Sequence, residues 1–276
     1  MKSIIELLYL LRNELASSGI QSSNVEAELI LSHFLNMKRF ELYLSPRLEV
    51  TSEQEKMVYD VLEKRCTHYP LQYLLGSVEF YDTVIEVNPS VLIPRPETEL
   101  LVEKVLSDNS HSELKVLDIG TGSGAIAIAL KKKRPLWQLT ATDISESALV
   151  TARHNAELNK CGIEFLLSDI WENIDAKFDV IISNPPYITE SDYAALSPEL
   201  HYEPKQALTS AEDGLYFYRI ILADCQNYLP SDGRLYLETG SEQARAVKDM
   251  ASQIRPANIA IFPDLNNFDR IIRITF

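Results

Sequence analysis

Cysteine is scarce in this chain. Its three thiols, Cys66, Cys161 and Cys225, lie far apart, are odd in number and form no Cys-x-x-Cys pair. That excludes a disulfide framework and a zinc-ligand pattern, and predicts a reducing compartment, the cytoplasm. No apolar run approaches the roughly 20 residues of a membrane-spanning helix. The opening nineteen residues interrupt their apolar positions with Glu6 and Glu14 at helical spacing and lack a small-residue cleavage site. They predict a structural helix rather than a signal peptide. Internal repeats and low-complexity segments are missing as well. Basic charge is in deficit, with a formal net charge of −14. The deficit is uneven: residues 1–75 carry 10 acids against 8 bases, residues 76–276 carry 30 against 18. An acidic C-terminal part is repelled by phosphate backbones, which argues against a nucleic-acid partner. The one basic run, Lys131 to Arg134, falls at the C-terminal end of an expected helix, where cations suit the helix dipole.

What is present is an ordinary globular composition, 46% apolar over 276 residues. Residues 1–75 read as a helical domain, with capping-box patterns at Ser23-x-x-Glu26 and Thr51-x-x-Gln54 and an apolar face of Val25, Leu29, Ile30 and Phe34. Gly76 is a plausible helix stop. Residues 76–92 then read as a hairpin linker, with strands Val78–Tyr81 and Thr83–Val87 either side of Asp82. From residue 93 to 276 the pattern alternates. A helix starts at Pro96 and runs through Leu106. Strands are expected at Lys115–Ile119, Gln138–Thr142, Glu164–Leu167, Phe178–Ser183 and Arg234–Leu237, with helices at Ala125–Lys133, Ser145–Leu158, Leu215–Leu229 and Ser241–Ile254. That is the pattern of an α/β fold with a doubly wound, mostly parallel sheet. Ile259–Phe262 and Arg270–Phe276, with no helix between them, predict a closing antiparallel hairpin.

The candidate chemistry sits at predicted strand ends. Gly120-Thr121-Gly122-Ser123-Gly124 follows the first strand of the sheet, where glycines let a ligand approach the backbone. Its GxGxG spacing departs from the GxGxxG of NAD and FAD sites. Asp143 ends the next strand, where a carboxylate can accept both hydroxyls of a ribose. Asp169 ends the third and can accept from an adenine amine, with Ile170 or Trp171 against the ring; ordinary core packing is the alternative for Trp171. Asn184-Pro185-Pro186-Tyr187 closes the fourth. Two prolines remove two backbone donors, so this turn presents acceptors. The Asn184 side-chain oxygen and the Pro185 carbonyl can take both hydrogens of an NH2 group, and Tyr187 can stack on a flat amide or base. An amide nitrogen is a poor nucleophile, and holding its hydrogens is catalysis by orientation, with no metal required.

These residues resemble class I S-adenosylmethionine-dependent methyltransferases, and Asn184-Pro185-Pro186-Tyr187 is similar to the tetrapeptide of their amino-methylating members. The remainder resembles the release-factor glutamine methyltransferases (the PrmC or HemK family). That resemblance is carried by Leu92 to Glu99, Tyr69 to Leu74 with Gly76, Glu203-Pro204, Asp213-Gly214-Leu215, Glu238-x-Gly240 with Gln243, and Asp269-Arg270, and it covers essentially the whole chain. It implies a seven-stranded sheet preceded by a small helical domain that docks the substrate. It implies S-adenosylmethionine as cofactor, with S-adenosylhomocysteine as product, held by Gly120, Thr121, Gly122, Ser123, Gly124, Asp143, Asp169, Ile170 and Asn184. Asn184, Pro185, Pro186 and Tyr187 would hold the substrate amide, with Asn184, Pro185 and Tyr187 catalytic. The implied reaction is N5-methylation of the glutamine in the Gly-Gly-Gln motif of class 1 peptide-chain release factors, by a monomer that needs no nucleic acid or membrane. Ser210, Ala211 and Asn267 stand where the family usually has glycines, and asparagine tolerates left-handed backbone. A DNA or RNA adenine methyltransferase would need a basic surface and a base-flipping pocket. A non-catalytic binding module would not need Asn184.

Overall fold

The computed structural model describes residues 2–211 and 213–276, and these fall into two compact units. The first runs to Gly76 and takes in Ser197–Tyr202; the second holds Ser77–Leu196 and Glu203–Phe276.

The first unit is built from α1 (Ile4–Ser17), α2 (Ser23–Leu35), α3 (Arg39–Leu44), α4 (Ser52–Cys66) and α5 (Leu71–Leu75). Helix α1 buries Ile4, Leu7, Leu8, Leu11 and Leu15, the i, i+3, i+4 stripe of an amphipathic helix. Thr51 and Gln54 form the expected reciprocal cap on α4, with bonds of 3.2 and 3.0 Å. Gly76, at φ +79°, ends α5 in the left-handed conformation that glycine adopts without a Cβ penalty. Two expectations fail in α2. Of the expected apolar face, Ile30 is buried and Leu29 and Phe34 pack partly buried on the same core, but Val25 is 45% exposed, and Ala27 and Leu31 complete the buried face. Glu26 closes no box with Ser23, which is already inside the helix; its carboxylate takes two bonds from the buried Arg65 guanidinium, at 2.6 and 3.0 Å. Glu26 also accepts from the hydroxyl of Ser22, the N-cap residue of α2, at 2.7 Å, and a buried cation requires such a carboxylate beside it.

In the second unit β1 (Ser77–Phe80) and β2 (Thr83–Glu86) form an antiparallel hairpin. Both turn residues, Tyr81 and Asp82, have positive φ, as the tight two-residue hairpin turn requires; the sequence had suggested Asp82 alone. Next come α6 (Pro96–Asp108), β3 (Lys115–Ile119), α7 (Ala125–Lys133), β4 (Gln138–Asp143), α8 (Glu146–Leu158), β5 (Glu164–Leu167) and β6 (Val180–Ser183). They are followed by α9 (Glu190–Tyr193), α10 (Lys205–Leu208), α11 (Tyr216–Tyr228), β7 (Arg234–Glu238), α12 (Ala244–Gln253), β8 (Asn258–Pro263) and β9 (Asp269–Thr275). β6 starts two residues later than expected, because Phe178 donates to Tyr228 and Asp179 caps the start of β3 through the Lys115 N–H.

The seven strands stand in the order β5-β4-β3-β6-β7-β9-β8, with β3 to β7 mutually parallel and β9 antiparallel to both its neighbours. From β3 the chain winds outward through β4 and β5, then returns to β6 on the other side. That reversal opens a crevice beyond the carboxyl ends of β3 and β6. Register brings the strand ends level: Ile119 pairs with both Thr142 and Ser183. Gly120, Asp143 and Asn184 therefore leave the sheet side by side. Among the described residues no helix is long and apolar enough to cross a membrane.

Candidate active site

A cavity of about 220 Å³ lies in that crevice, and its walls include Gly120, Gly122, Asp143, Asp169, Ile170, Asn184, Pro185 and Pro186. The sequence placed these residues on four separate strand ends; the sheet brings all eight together. Thr121, Ser123, Gly124 and Tyr187 stand behind the walls. The Thr121 hydroxyl donates to Asp118 at 2.6 Å, the Ser123 carbonyl accepts from Asn155 at 2.9 Å, and a Cβ at Gly124 would press on Ala152 of α8 at 3.2 Å. These three hold the glycine loop against the sheet and its helices.

Asp143 is anchored by backbone. Its two oxygens accept from the Ser145 N–H at 2.9 Å and the Gly122 N–H at 2.8 Å. Burial raises its pKa, and the backbone donors Ser145, Gly122 and Ile144 oppose the rise. Each oxygen keeps a lone pair for a further donor. Ile170 holds φ +49°, a costly conformation for a β-branched residue, with its side chain on the cavity wall. Trp171 is core: it stacks on Tyr228 at 4.4 Å and its indole N–H donates to the Ile220 carbonyl.

Asn184 donates from Nδ2 to the Thr98 hydroxyl at 3.2 Å, which leaves its side-chain oxygen as the free acceptor. Beside it Glu238 is 2% exposed, and burial lifts its carboxyl to about 7; Thr98, Arg270 and Asn184 oppose that rise while Glu97 adds to it. Burial also raises the Tyr187 phenol, with Glu238 adding to the effect. The Leu92–Glu99 segment is fastened by Glu203, which accepts from the Ile93 N–H at 2.9 Å and pairs with Arg95. Sequence reasoning missed Gln206, Phe217 and Ile221 on the cavity wall, and Thr98 as the support of Asn184. Of these, Thr98 carried a signal, a polar residue on the buried face of an amphipathic helix.

The methyltransferase small domain family matches residues 96–214, and the PrmC N-terminal domain family matches residues 6–76. The release factor glutamine methyltransferase of Streptococcus pneumoniae is 47% identical over 204 residues, 73% of this chain and 73% of its own length. That of Enterococcus faecalis is 39% identical over 262 residues, 93% of this chain and 95% of its own. The chain belongs to the release factor glutamine methyltransferase family. A solved methyltransferase structure from Pyrococcus furiosus, 18% identical, matches at a TM-score of 0.55 over 82% of this chain and 98% of its own, which bears on the fold alone.

S-adenosylmethionine, the methyl donor of a family member, fits the residues present. Cβ atoms at Gly120 and Gly122 would meet no protein atom within 4 Å, so both glycines border open space on the cavity. The anchored Asp143 carboxylate suits a ribose diol. Ile144, Ala148, Ile170 and Ile221 supply apolar walls for a purine.

Proposed function

We propose that this chain transfers a methyl group from S-adenosylmethionine to the side-chain amide nitrogen (N5) of the glutamine in the Gly-Gly-Gln motif of class 1 peptide-chain release factors. The observation that carries the reading is that Asn184, Pro185 and Pro186 line one cavity with Gly120, Gly122 and Asp143. An amide-binding turn and a nucleoside-binding loop share a single space.

S-adenosylmethionine, when bound, supplies a methyl group on an electrophilic sulfonium. The chain's own residues do the rest by binding and orientation. Gly120 and Gly122 let the backbone close on the cofactor, Asp143 accepts its ribose hydroxyls, and Asp169 and Ile170 flank its adenine. Asn184, through its side-chain oxygen, and Pro185, through its backbone carbonyl, accept the two hydrogens of the substrate amide. Fixing those hydrogens aims the nitrogen at the methyl group; as the N–C bond forms the methyl's bond to sulfur breaks, and one of the two held hydrogens leaves the nitrogen as a proton, so rate comes from positioning and electrostatic preorganisation. Pro186 stiffens the turn, and Tyr187 offers the adjoining ring.

A glutamine side chain presents little surface, so selectivity for a whole release factor needs a second area of contact. We assign that docking role to the helical domain of residues 1–75, joined through residues 76–92 to the methyltransferase domain of residues 93–276. Release factors and the three unbridged cysteines both suit the cytoplasm. The test is mass spectrometry of a purified class 1 release factor incubated with this protein and S-adenosylmethionine. The expected result is one added methyl on the Gly-Gly-Gln glutamine; methyl transfer to any other residue, or to none, overturns the reading.

A further inference from the structure

We propose that Thr98 and Glu238 are positioning residues for the reaction: a carboxylate–hydroxyl relay that holds the Asn184 side chain with its oxygen, not its nitrogen, toward the substrate amide. The inference rests on the reading of Asn184 as the acceptor for that amide.

The side chain of an asparagine is nearly symmetric in shape, so packing alone does not decide which end faces a cavity. Hydrogen bonding does. Asn184 meets Thr98 Oγ1 at 3.2 Å, and Thr98 is 5% exposed, so water does not arbitrate. A hydroxyl has one hydrogen to give. If Thr98 gives it to Asn184, the amide must turn its oxygen inward and show two N–H donors to the cavity. Those donors would confront the two hydrogens of a substrate NH2. If Thr98 gives its hydrogen elsewhere, its lone pair accepts from Asn184 Nδ2 and the oxygen faces out.

Glu238 decides where that hydrogen goes. It ends β7, and Ser183 pairs with Leu237, so Asn184 and Glu238 leave neighbouring strands side by side. The Thr98 hydroxyl and the Asn184 amide lie close enough to its carboxyl to favour its charged form. A carboxylate only accepts, so it takes the Thr98 hydrogen and leaves the Thr98 lone pair to Asn184. A protonated Glu238 can donate to Thr98 instead, which turns the hydroxyl round and reverses Asn184. The remaining groups near this carboxyl are Glu97 on α6, Arg270 on β9, Tyr187 after β6 and Tyr218 on α11, whose hydroxyl donates to the Glu238 backbone carbonyl at 2.9 Å. One Glu238 oxygen, Oε2, is buried with no hydrogen-bond partner, so nothing on that side opposes its protonation.

The experiment uses the full-length protein, S-adenosylmethionine and an intact release factor. Wild-type kcat is expected to rise as pH passes through about 7, the value to which Glu238 is lifted, and Glu238→Gln should lose that rise. Thr98→Val should lower kcat about tenfold, the scale of one hydrogen bond in the transition state, with cofactor affinity within about twofold. Thr98→Ser should restore most of the loss, which a packing role for the threonine methyl would not allow. In the cofactor-free protein the Asn184 side-chain amide NMR signals should move with the same midpoint, and stay still in Glu238→Gln. Wild-type kcat in Thr98→Val, or an acid limb that survives in Glu238→Gln, overturns the relay. If Thr98→Val does not fold, the Glu238→Gln pH profile and the amide signals decide alone. A wild-type protein that methylates no release factor overturns the proposed function, and the amide signals then judge the relay separately.

Discussion

Gln243 Nε2 donates to the backbone oxygen of Tyr187 at 2.9 Å. The same nitrogen reaches the Gly214 carbonyl at 3.3 Å, and Gln243 Oε1 accepts from the Gly240 N–H at 3.2 Å. One side chain thus fastens the turn after Asn184-Pro185-Pro186 to two other loops. Gly214 is required, since a Cβ there would lie 2.5 Å from Tyr187 O and from Gln243 Nε2, and a Cβ at Gly240 would press on Gln243 Oε1 at 2.9 Å.

Gln243→Ala should therefore loosen the Asn184–Tyr187 turn while sparing the Gly120–Gly124 loop. Steady-state kinetics are expected to show kcat/KM down at least about tenfold, since several hydrogen bonds of roughly 1 kcal/mol each are lost. Calorimetry should find cofactor affinity little changed. Equal losses in both measurements would place Gln243 in the general scaffold instead.

Asp143→Ala should weaken cofactor binding by about 1.5–3 kcal/mol, the scale of hydrogen bonds to a charged group. It also frees the Gly122 and Ser145 N–H groups that the carboxylate now holds. At saturating cofactor the catalytic rate should fall much less. Unchanged affinity in calorimetry would move the ribose contact to another residue.

The sheet was legible in the sequence because near-continuous apolar strands and alternating helices leave little freedom. Lys115–Ile119, Glu164–Leu167 and Ala125–Lys133 match to the residue. The phase of α2 was only partly legible: Ile30, Leu29 and Phe34 meet the core as expected, but Val25 is apolar yet faces water, while Glu26 is polar yet buried. What settles that phase is Arg65, 39 residues further on, and no local pattern encodes it. The cavity obeys the same rule. Gly120, Asp143 and Asn184 announce themselves as strand-end residues. The bonds that orient them, Thr98 to Asn184 across 86 residues and Gln243 to Tyr187 across 56, exist only once the sheet has formed.

Arg65 is a buried, fully paired charge in the helical unit. It is 2% exposed and binds Glu26 twice and Glu199, from the turn Pro198–Tyr202, once at 2.6 Å. Arg65→Met should cost about 3–5 kcal/mol, because it strands a buried carboxylate. Combining it with Glu26→Leu should recover much of that loss. Denaturant titrations of the single and double variants measure both effects, and a double variant no better than the single would deny that the stranded charge is the cause.

Asp118 predicts how stability depends on pH. It is fully buried beneath the glycine loop, burial and nearby Asp143 lift its carboxyl to about 7, and the Thr121 hydroxyl opposes that. The folded chain keeps this proton up to about 7, whereas the unfolded chain releases it near 3.8. In that window the native state binds more protons, so its stability falls as pH rises. Asp118→Asn removes the slope. Relative to wild type, the variant should gain on the order of 4 kcal/mol between acid and mildly alkaline pH. Thermal unfolding across that range tests it, and parallel curves for the two proteins would mean Asp118 does not titrate there.

The last prediction concerns the surface by which the helical unit would hold a release factor. Phe40 and Leu44 are 59% and 74% exposed and lie one turn apart on α3, so they share a face. Phe40 also lines a shallow groove with Met37, Arg39 and Tyr43. The Tyr43 ring is braced by Arg12 and Glu28, which gives the groove a fixed wall. Neither Phe40 nor Leu44 belongs to the buried interior of the unit, so replacing them should leave its melting unchanged. Their exposure costs solubility and gains the fold nothing, which suits a contact made with a partner. Phe40→Ser with Leu44→Ser should raise KM for an intact release factor about tenfold or more, the scale of losing apolar anchors from an interface. Cofactor affinity and kcat at saturating factor should stay near wild type, because the cavity around Asn184 is untouched. A short Gly-Gly-Gln peptide should be an equally poor substrate for both proteins, since it lacks the remote surface whose binding positions the amide. Unchanged KM for the intact factor would move docking to another face of the helical unit while leaving the assignments at Asn184 and Asp143 standing.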